Sequence, residues 1–125
     1  MPHPNDRRYL DSHEWHQLAD GVVTIGISQF AVDELTDVTY VEFRMTEGRI
    51  DKGEAFAEVE SVKSNSEVYA GVAGEVVAVN DSVVDEPQKI NEDCYGGGWL
   101  IKVKPDDPAA VEALMDAAAY DATVG

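Results

Sequence analysis

Alternating apolar and polar positions recur along the chain and predict many short strands. The runs with the period of two that half-buried strands show are Val22–Ile27, Val38–Phe43, Ala55–Glu60, Val68–Ala70, Gly74–Asn80 and Trp99–Val103. Asp20-Gly21 stands before the first run and predicts a β-hairpin there. Glycines and the pair Asn80-Asp81 separate the other runs at intervals typical of all-β folds. The pattern therefore predicts a mainly β protein, built as a small sandwich or barrel.

Two parts of this strand pattern resemble each other. Val38–Glu42 and Phe56–Glu60 flank one turn region, and Gly74–Asn80 and Trp99–Val103 flank another. Duplicated strand-turn-strand units of this size can pair face to face about a pseudo-twofold axis, each lending strands to the other's sheet. We therefore expect two quasi-symmetric antiparallel sheets.

Helical signals occur in two places. Ser28 can cap a short helix near 28–35, where apolar residues recur near helical spacing. Asp107 followed by Pro108 is typical of a helix start. It predicts a C-terminal helix near 108–116.

The composition fits one modest domain and restricts its partners. The 125 residues are 44% hydrophobic, so we expect a flexible N-terminal segment over 1–8 and a single domain over 9–125. The net charge of -16 would repel nucleic acids and anionic membranes. No apolar run reaches the roughly 20 residues of a membrane span, residues 1–6 lack a signal peptide's apolar centre, and Cys94 is the only cysteine. We therefore expect a cytoplasmic protein.

Three features invite a metal-site or catalytic interpretation, and each lacks part of the required pattern. His13 and His16 flank Glu14, but a zincin motif needs His-Glu-x-x-His on a helix, and here the second histidine comes one residue early. Gly96–Gly98 lacks the Gly-Lys-Ser/Thr of a phosphate-binding loop. Cys94 has no basic neighbour in sequence that would lower its thiol pKa. We therefore expect no metal ion and no catalytic residue.

The stretch Glu58–Tyr69 runs as alternating residues into a small polar tip and out again. Lys63 is its one long basic side chain, and serines surround it. A lysine at a turn is ordinarily a solvated charge. An accessible amine that the backbone holds in a fixed place is also what an acylating enzyme can grip. The residues alone leave both interpretations open.

The residues around Lys63 resemble the lipoylation motif of the glycine cleavage system H protein family. The resemblance rests on these segments: Val59–Ser64, Ser66–Tyr69, Gly74–Val76, Tyr9, Ser12–Trp15, Val23–Ile27, Asn91, Tyr95 and Gly98–Val103. The Ser-His-Glu-Trp element is specific, because other lipoyl domains lack it. The resemblance implies a lipoyl/biotinyl-type barrel-sandwich hybrid, or hammerhead, and covers nearly the whole chain.

The resemblance also implies a cofactor and site residues. Lys63 would carry lipoic acid as an amide, and the lipoylating enzymes would read Glu60 and Gly74. The loaded arm, with an aminomethyl group on sulfur, would dock where Ser12, Glu14 and an acid at position 67 meet its ammonium.

The implied role is that of a carrier subunit, not an enzyme. Its partners would be glycine decarboxylase (P protein), aminomethyltransferase (T protein) and dihydrolipoyl dehydrogenase (L protein), besides the lipoylating enzymes. We expect a monomer, located in the mitochondrial matrix if the source is a eukaryote.

Departures from the family pattern define the alternatives. Glu67 replaces an Asp found in many members, Thr36 replaces a usual Gly, and Phe43–Gly48 replaces a Leu-Pro-Glu-x-x-Gly loop. They favour, as the alternative, an H-like lipoate carrier serving another pathway, such as sulfur oxidation or lipoyl relay. A biotinyl carrier is disfavoured, because its lysine stands between two Met residues and Lys63 stands between Val62 and Ser64. An unmodified binding module is the remaining interpretation.

Overall fold

A computed structural model describes residues 4–124 and contains two antiparallel sheets with short helices at their ends. The strands are β1 (Arg8–Tyr9), β2 (Glu14–Ala19), β3 (Val22–Ile27), β4 (Val38–Phe43), β5 (Gly48–Ile50), β6 (Ala55–Ser61), β7 (Asn65–Tyr69), β8 (Gly74–Val79) and β9 (Ile101–Pro105). The helices are α1 (Gln29–Leu35), α2 (Ser82–Asp85), α3 (Gln88–Glu92), a 3-10 helix (Pro108–Ala113) and α4 (Ala117–Val124).

The predicted mainly β fold with two antiparallel sheets is confirmed, but the sheets are unequal. One has six strands in the order β1-β2-β3-β9-β8-β5, and the other has three in the order β4-β6-β7. The two similar halves form the pairs β4–β6 and β8–β9, one in each sheet. The first half lends β5 to the larger sheet, where it pairs with β8. The second half has α2 and α3 in the corresponding turn region, so the symmetry is incomplete.

The core lies between the two sheets, where the alternation of the strands buries their apolar side chains. These buried residues include Val23, Ile25, Val41, Ile50, Phe56, Val59, Val68, Ile101 and Val103. A second cluster joins α4 to β1 and β2. Its buried members are Tyr9, Trp15, Ala117 and Tyr120. The C-terminal helix is therefore packed into the fold through its own apolar side chains.

Both predicted helix caps are present, but the C-terminal helix differs from its prediction. Ser28 accepts a hydrogen bond from the third residue of its helix, and Asp107 caps the 3-10 helix. That helix ends at Ala113 because the next residues leave it to form backbone pairs. Met115 exchanges two hydrogen bonds with Tyr9, at 2.8 and 3.0 Å. The helix predicted near 108–116 is therefore present as the 3-10 helix, which ends before residue 116, and α4 follows after this pairing.

The N-terminal segment that the sequence predicts to be flexible includes residues 1–3, which lie outside the described residues. The guanidinium of Arg7 lies 4.6 Å from the centre of the Trp15 ring and donates to the Tyr95 carbonyl at 3.2 Å. Arg8 belongs to β1. Within residues 4–124, no helix is long and apolar enough to span a membrane.

Candidate functional site

The hairpin predicted around Lys63 is confirmed, and Ser61 organises its tip. The Ser61 hydroxyl accepts hydrogen bonds from the backbone N–H of Lys63 (3.1 Å) and of Ser64 (3.0 Å), and it donates to the Ser64 carbonyl at 2.9 Å. Val62 is 71% exposed, and Lys63 is exposed beside it. The strands β6 and β7 thus present the lysine amine to solvent on a turn with internal hydrogen bonds. Sequence reasoning missed this role of Ser61, although a serine two residues before the lysine is a signal for a serine-stabilised turn.

A cleft of about 240 Å³ opens beside this hairpin. Its walls are the start of β2, the helix α1 and the hairpin itself. The apolar lining includes Ile27, Phe30, Leu35, Val59 and Val68, and the polar lining includes Ser12, Glu14, Ser64, Ser66 and Glu67. The fold therefore brings all three predicted docking residues to one cleft, and Ser64, the residue after Lys63, also lines it.

Glu14 is a buried carboxylate held on both sides. It is 1% exposed, its Oε1 accepts from the Ser12 hydroxyl at 2.5 Å, and its Oε2 accepts from the Tyr69 N–H at 2.8 Å. Burial raises its pKa to about 7, against the opposing effect of these hydrogen bonds. Near neutral pH the group is therefore poised between its two forms. A cation that enters the cleft favours the ionised one.

The raised pKa of Glu14 predicts a pH-dependent stability. Because the folded pKa of about 7 exceeds the ordinary glutamate pKa of 4.5, the folded state binds the proton more tightly, and the free energy of unfolding falls as pH rises between these values. The expected loss is about 3 kcal/mol. Denaturant unfolding of the wild type and of Glu14→Gln from pH 4 to 8 measures it. The stability of the wild type relative to Glu14→Gln should fall by this amount as pH rises, and a constant difference contradicts the assignment.

Glu67 borders the cleft, but its carboxylate is engaged elsewhere. Arg44 holds Oε1 at 2.6 Å, and the Tyr69 hydroxyl donates to Oε2 at 3.1 Å. The hydrogen bond from Arg44 is the main cause that lowers the pKa of Glu67. Strand alternation places the Glu67 side chain on the opposite face of β7 from Ser66 and Val68, although all three residues border the cleft. Sequence reasoning missed Arg44, because nothing local links a loop residue to a strand far along the chain.

Glu60 and Gly74 lie in different sheets. Glu60 is half-buried in β6 and alternates with the buried Val59, which places it on the outer face of the smaller sheet. Gly74 is buried in β8 of the larger sheet, where an added Cβ would lie 2.2 Å from the Lys104 carbonyl oxygen. The close approach of two backbones is therefore a sufficient structural reason for a glycine at this position.

His16 and Cys94, the other residues considered for metal binding or catalysis, are buried in the fold. His16 is fully buried, its Nε2 accepts from the Gly71 N–H at 2.9 Å, and burial lowers its pKa to about 3. Cys94 is buried, and burial raises its thiol pKa to about 12. In the chain from residue 4 to residue 124, no group of three or more His, Cys, Asp or Glu side chains could hold a metal ion.

The chain is similar to known proteins in sequence and in fold. The sequence model of the family described as Glycine cleavage H-protein matches residues 7–125. A glycine cleavage system H protein from Anaeromyxobacter sp. is 47% identical over 124 residues, which are 99% of this chain and 97% of that protein. Another from Chromohalobacter salexigens is 48% identical over 122 residues, 97% of this chain and 93% of that protein. A crystal structure of a glycine cleavage system H protein from Mycobacterium marinum matches with a TM-score of 0.86 and 38% identity, covering 95% of this chain and 96% of that chain.

Proposed function

The chain belongs to the glycine cleavage H-protein family, and from this premise we propose that Lys63 carries lipoic acid and that the arm transfers an aminomethyl group. A member of this family is a carrier subunit of a multi-enzyme system and not itself an enzyme. The observation that most strongly supports the proposal is the exposed Lys63 on a turn whose next residue, Ser64, lines a cleft containing a buried carboxylate.

The residues present fit a lipoyl arm. When bound, lipoic acid supplies a dithiolane whose sulfur accepts and releases the transferred group. The lysine side chain and the lipoyl chain together reach on the order of 10 Å or more, which is ample for an anchor at the rim of the cleft. The apolar lining from Ile27, Phe30 and Leu35 suits a chain of methylenes, because their contact removes apolar surface from water.

Glu14 and Ser12 would hold the cationic end of the arm. A carboxylate that is 1% exposed pairs with an ammonium more strongly than a surface carboxylate does, because little water screens the pair. The same burial keeps water from the bound amine, which protects a group that water would hydrolyse. Glu67 would contribute less to this site, because Arg44 already neutralises the charge of its carboxylate.

We propose three partner enzymes: glycine decarboxylase, aminomethyltransferase and dihydrolipoyl dehydrogenase. The net charge of -16 favours association with basic surfaces on such partners. Reconstitution tests the proposal. The lipoylated chain should support glycine-dependent decarboxylation with the three enzymes, and the unlipoylated chain should not.

One observation favours an H-like lipoate carrier of another pathway as the second candidate. Arg44 lies in the segment Phe43–Gly48, which departs from the family pattern, and it pairs with Glu67 beside the cleft. The test is the activity of the lipoylated wild type and of the lipoylated Arg44→Met variant in the reconstituted glycine cleavage system. Inactivity of both proteins would favour this alternative over the glycine cleavage role.

Glu60 should act in attachment of the arm and not in docking of its cargo. It lies on the outer face of β6 and pairs with Asn65 of β7, next to the turn that carries Lys63. A lipoylating enzyme that holds Lys63 can contact it there. We expect Glu60→Gln to slow lipoylation by about tenfold, which is the loss of one hydrogen bond to a charged group. Intact mass measured over time gives the rate. Glu58→Gln, on the same face two residues away, is the matched control, and equal slowing in both would contradict specific recognition of Glu60.

A further inference from the structure

The hydroxyl of Tyr120 lies between two walls of the cleft, although its residue belongs to the C-terminal helix. Tyr120 is 0% exposed, and its Oη lies 2.7 Å from the Ser28 Oγ and 2.7 Å from the His13 Nδ1. These partners are 92 and 107 residues away in sequence. One oxygen of α4 thus joins two segments that are distant from α4 along the chain.

The two partners of this hydroxyl, Ser28 and His13, belong to segments that form different walls of the cleft. Ser28 caps α1, whose residues Phe30 and Leu35 line the cleft. His13 itself lines the cleft, and its neighbours Ser12 and Glu14 are the proposed docking residues. A shift of either partner would therefore move groups that the docked arm must meet.

His13 is held in a conformation that needs support. Its φ is 82°, in the left-handed region that a residue with a side chain seldom occupies. The His13 carbonyl accepts from the Ser28 N–H at 2.8 Å, and its ring lies 4.7 Å from the ring of Phe30. Such strain persists only where the surroundings fix it, and it is concentrated at functional sites.

We propose that Tyr120 is a positioning residue of the docking cleft, which makes α4 a part of the site that holds the loaded arm. This inference rests on the proposed function, since it concerns the same cleft. The hydroxyl proton is available for the role at neutral pH, because burial raises the pKa of Tyr120 to about 12. With one proton, the hydroxyl can donate to one partner and accept from the other. The direction of these two hydrogen bonds determines whether the His13 Nδ1 carries a proton, and thus selects one tautomer of its imidazole.

Tyr9 provides a matched control, because it stacks directly on Tyr120. The two ring centres are 4.5 Å apart and the ring planes differ by 4°. The Tyr9 hydroxyl donates to the Pro4 carbonyl at 2.6 Å, outside the cleft lining. Tyr9→Phe and Tyr120→Phe therefore remove the same group from the same stacked pair. Only Tyr120→Phe removes the hydroxyl that joins His13 to Ser28.

The experiment first uses the unlipoylated protein. At a pH where the His13 imidazole is neutral, its nitrogen NMR shifts should show one dominant tautomer in the wild type and in Tyr9→Phe, and a mixture in Tyr120→Phe. Unfolding of the three proteins shows whether any difference is only a loss of stability. If the His13 shifts in Tyr120→Phe equal those of the wild type, the positioning role is wrong.

The second measurement uses the lipoylated, aminomethyl-loaded protein. Loss of the aminomethyl mass should be about fivefold faster in Tyr120→Phe than in the wild type, as expected for one lost hydrogen bond, and unchanged in Tyr9→Phe. Equal lifetimes in all three proteins overturn the inference and leave the proposed function intact. A wild type that accepts no lipoyl group overturns the proposed function, while the tautomer comparison still decides whether Tyr120 positions His13. If Tyr120→Phe does not fold, the wild type suffices: loading should shift His13 and Tyr120 resonances, and unmoved resonances overturn the inference.

Discussion

Lys63→Arg should remain without lipoic acid under conditions in which the wild type is fully lipoylated. A guanidinium stays protonated and offers no amine to acylate, whereas a lysine amine in solvent does. Because Lys63 is exposed on a turn, the change should alter the free energy of unfolding by less than about 0.5 kcal/mol. Intact mass after expression with a lipoylating enzyme is the measurement. The wild type gains the lipoyl increment, and the variant does not.

Lys52→Arg is the matched control for this prediction. Lys52 is also an exposed lysine beside a turn, and it precedes Gly53. Its substitution should leave the lipoyl increment unchanged. An increment that survives in Lys63→Arg would remove the carrier function assigned to this hairpin.

Glu14→Gln should be lipoylated at the normal rate but lose the aminomethyl group much faster. The amide keeps the shape of the side chain and can still accept from the Tyr69 N–H. It removes the negative charge that would pair with the ammonium of the cargo. A hydrogen bond to a charged group contributes about 1.5 to 3 kcal/mol, so we expect the lifetime of the loaded arm to fall on the order of 10- to 100-fold. The decay of the aminomethyl mass increment measures it.

Glu34→Gln is the control that distinguishes an effect of the buried Glu14 carboxylate from an effect of any negative charge in the cleft. Glu34 lines the same cleft from α1, but it is exposed. Water and salt screen an exposed charge, so its removal should change the lifetime by less than about twofold. Equal effects of the two substitutions would contradict a specific docking role for Glu14.

Local pattern was enough to predict the parts of the fold that local physics determines. The alternation before and after Lys63 predicted its hairpin, and Ser28 and Asp107 predicted two helix caps that are present. Membership in the family, which motifs along nearly the whole chain indicated, is confirmed. The hairpin and the two caps each depend on residues that are close in sequence.

The contacts that the sequence could not supply join residues far apart. The bonds of Glu14 with Tyr69 and of Tyr120 with His13 span 55 and 107 residues. The spacing of apolar residues within a strand or helix does not indicate which side chain will bond to a group so far away in sequence. The end of the helix near 108–116 could not be predicted for the same reason, because the pairing of Met115 with Tyr9 stops this helix at Ala113.

The two hydrogen-bonded oxygens of Glu14 determine which partner would have to move in the proposed docking. A carboxylate held by the Ser12 hydroxyl and the Tyr69 N–H cannot rotate toward its cargo. Almost all the conformational entropy lost on docking therefore comes from the tether, of which a lysine side chain alone accounts for about 2 kcal/mol. A stiffer tether in the same place would hold the cargo longer and release it more slowly. The freedom of the proposed arm at Lys63 would thus balance retention against delivery.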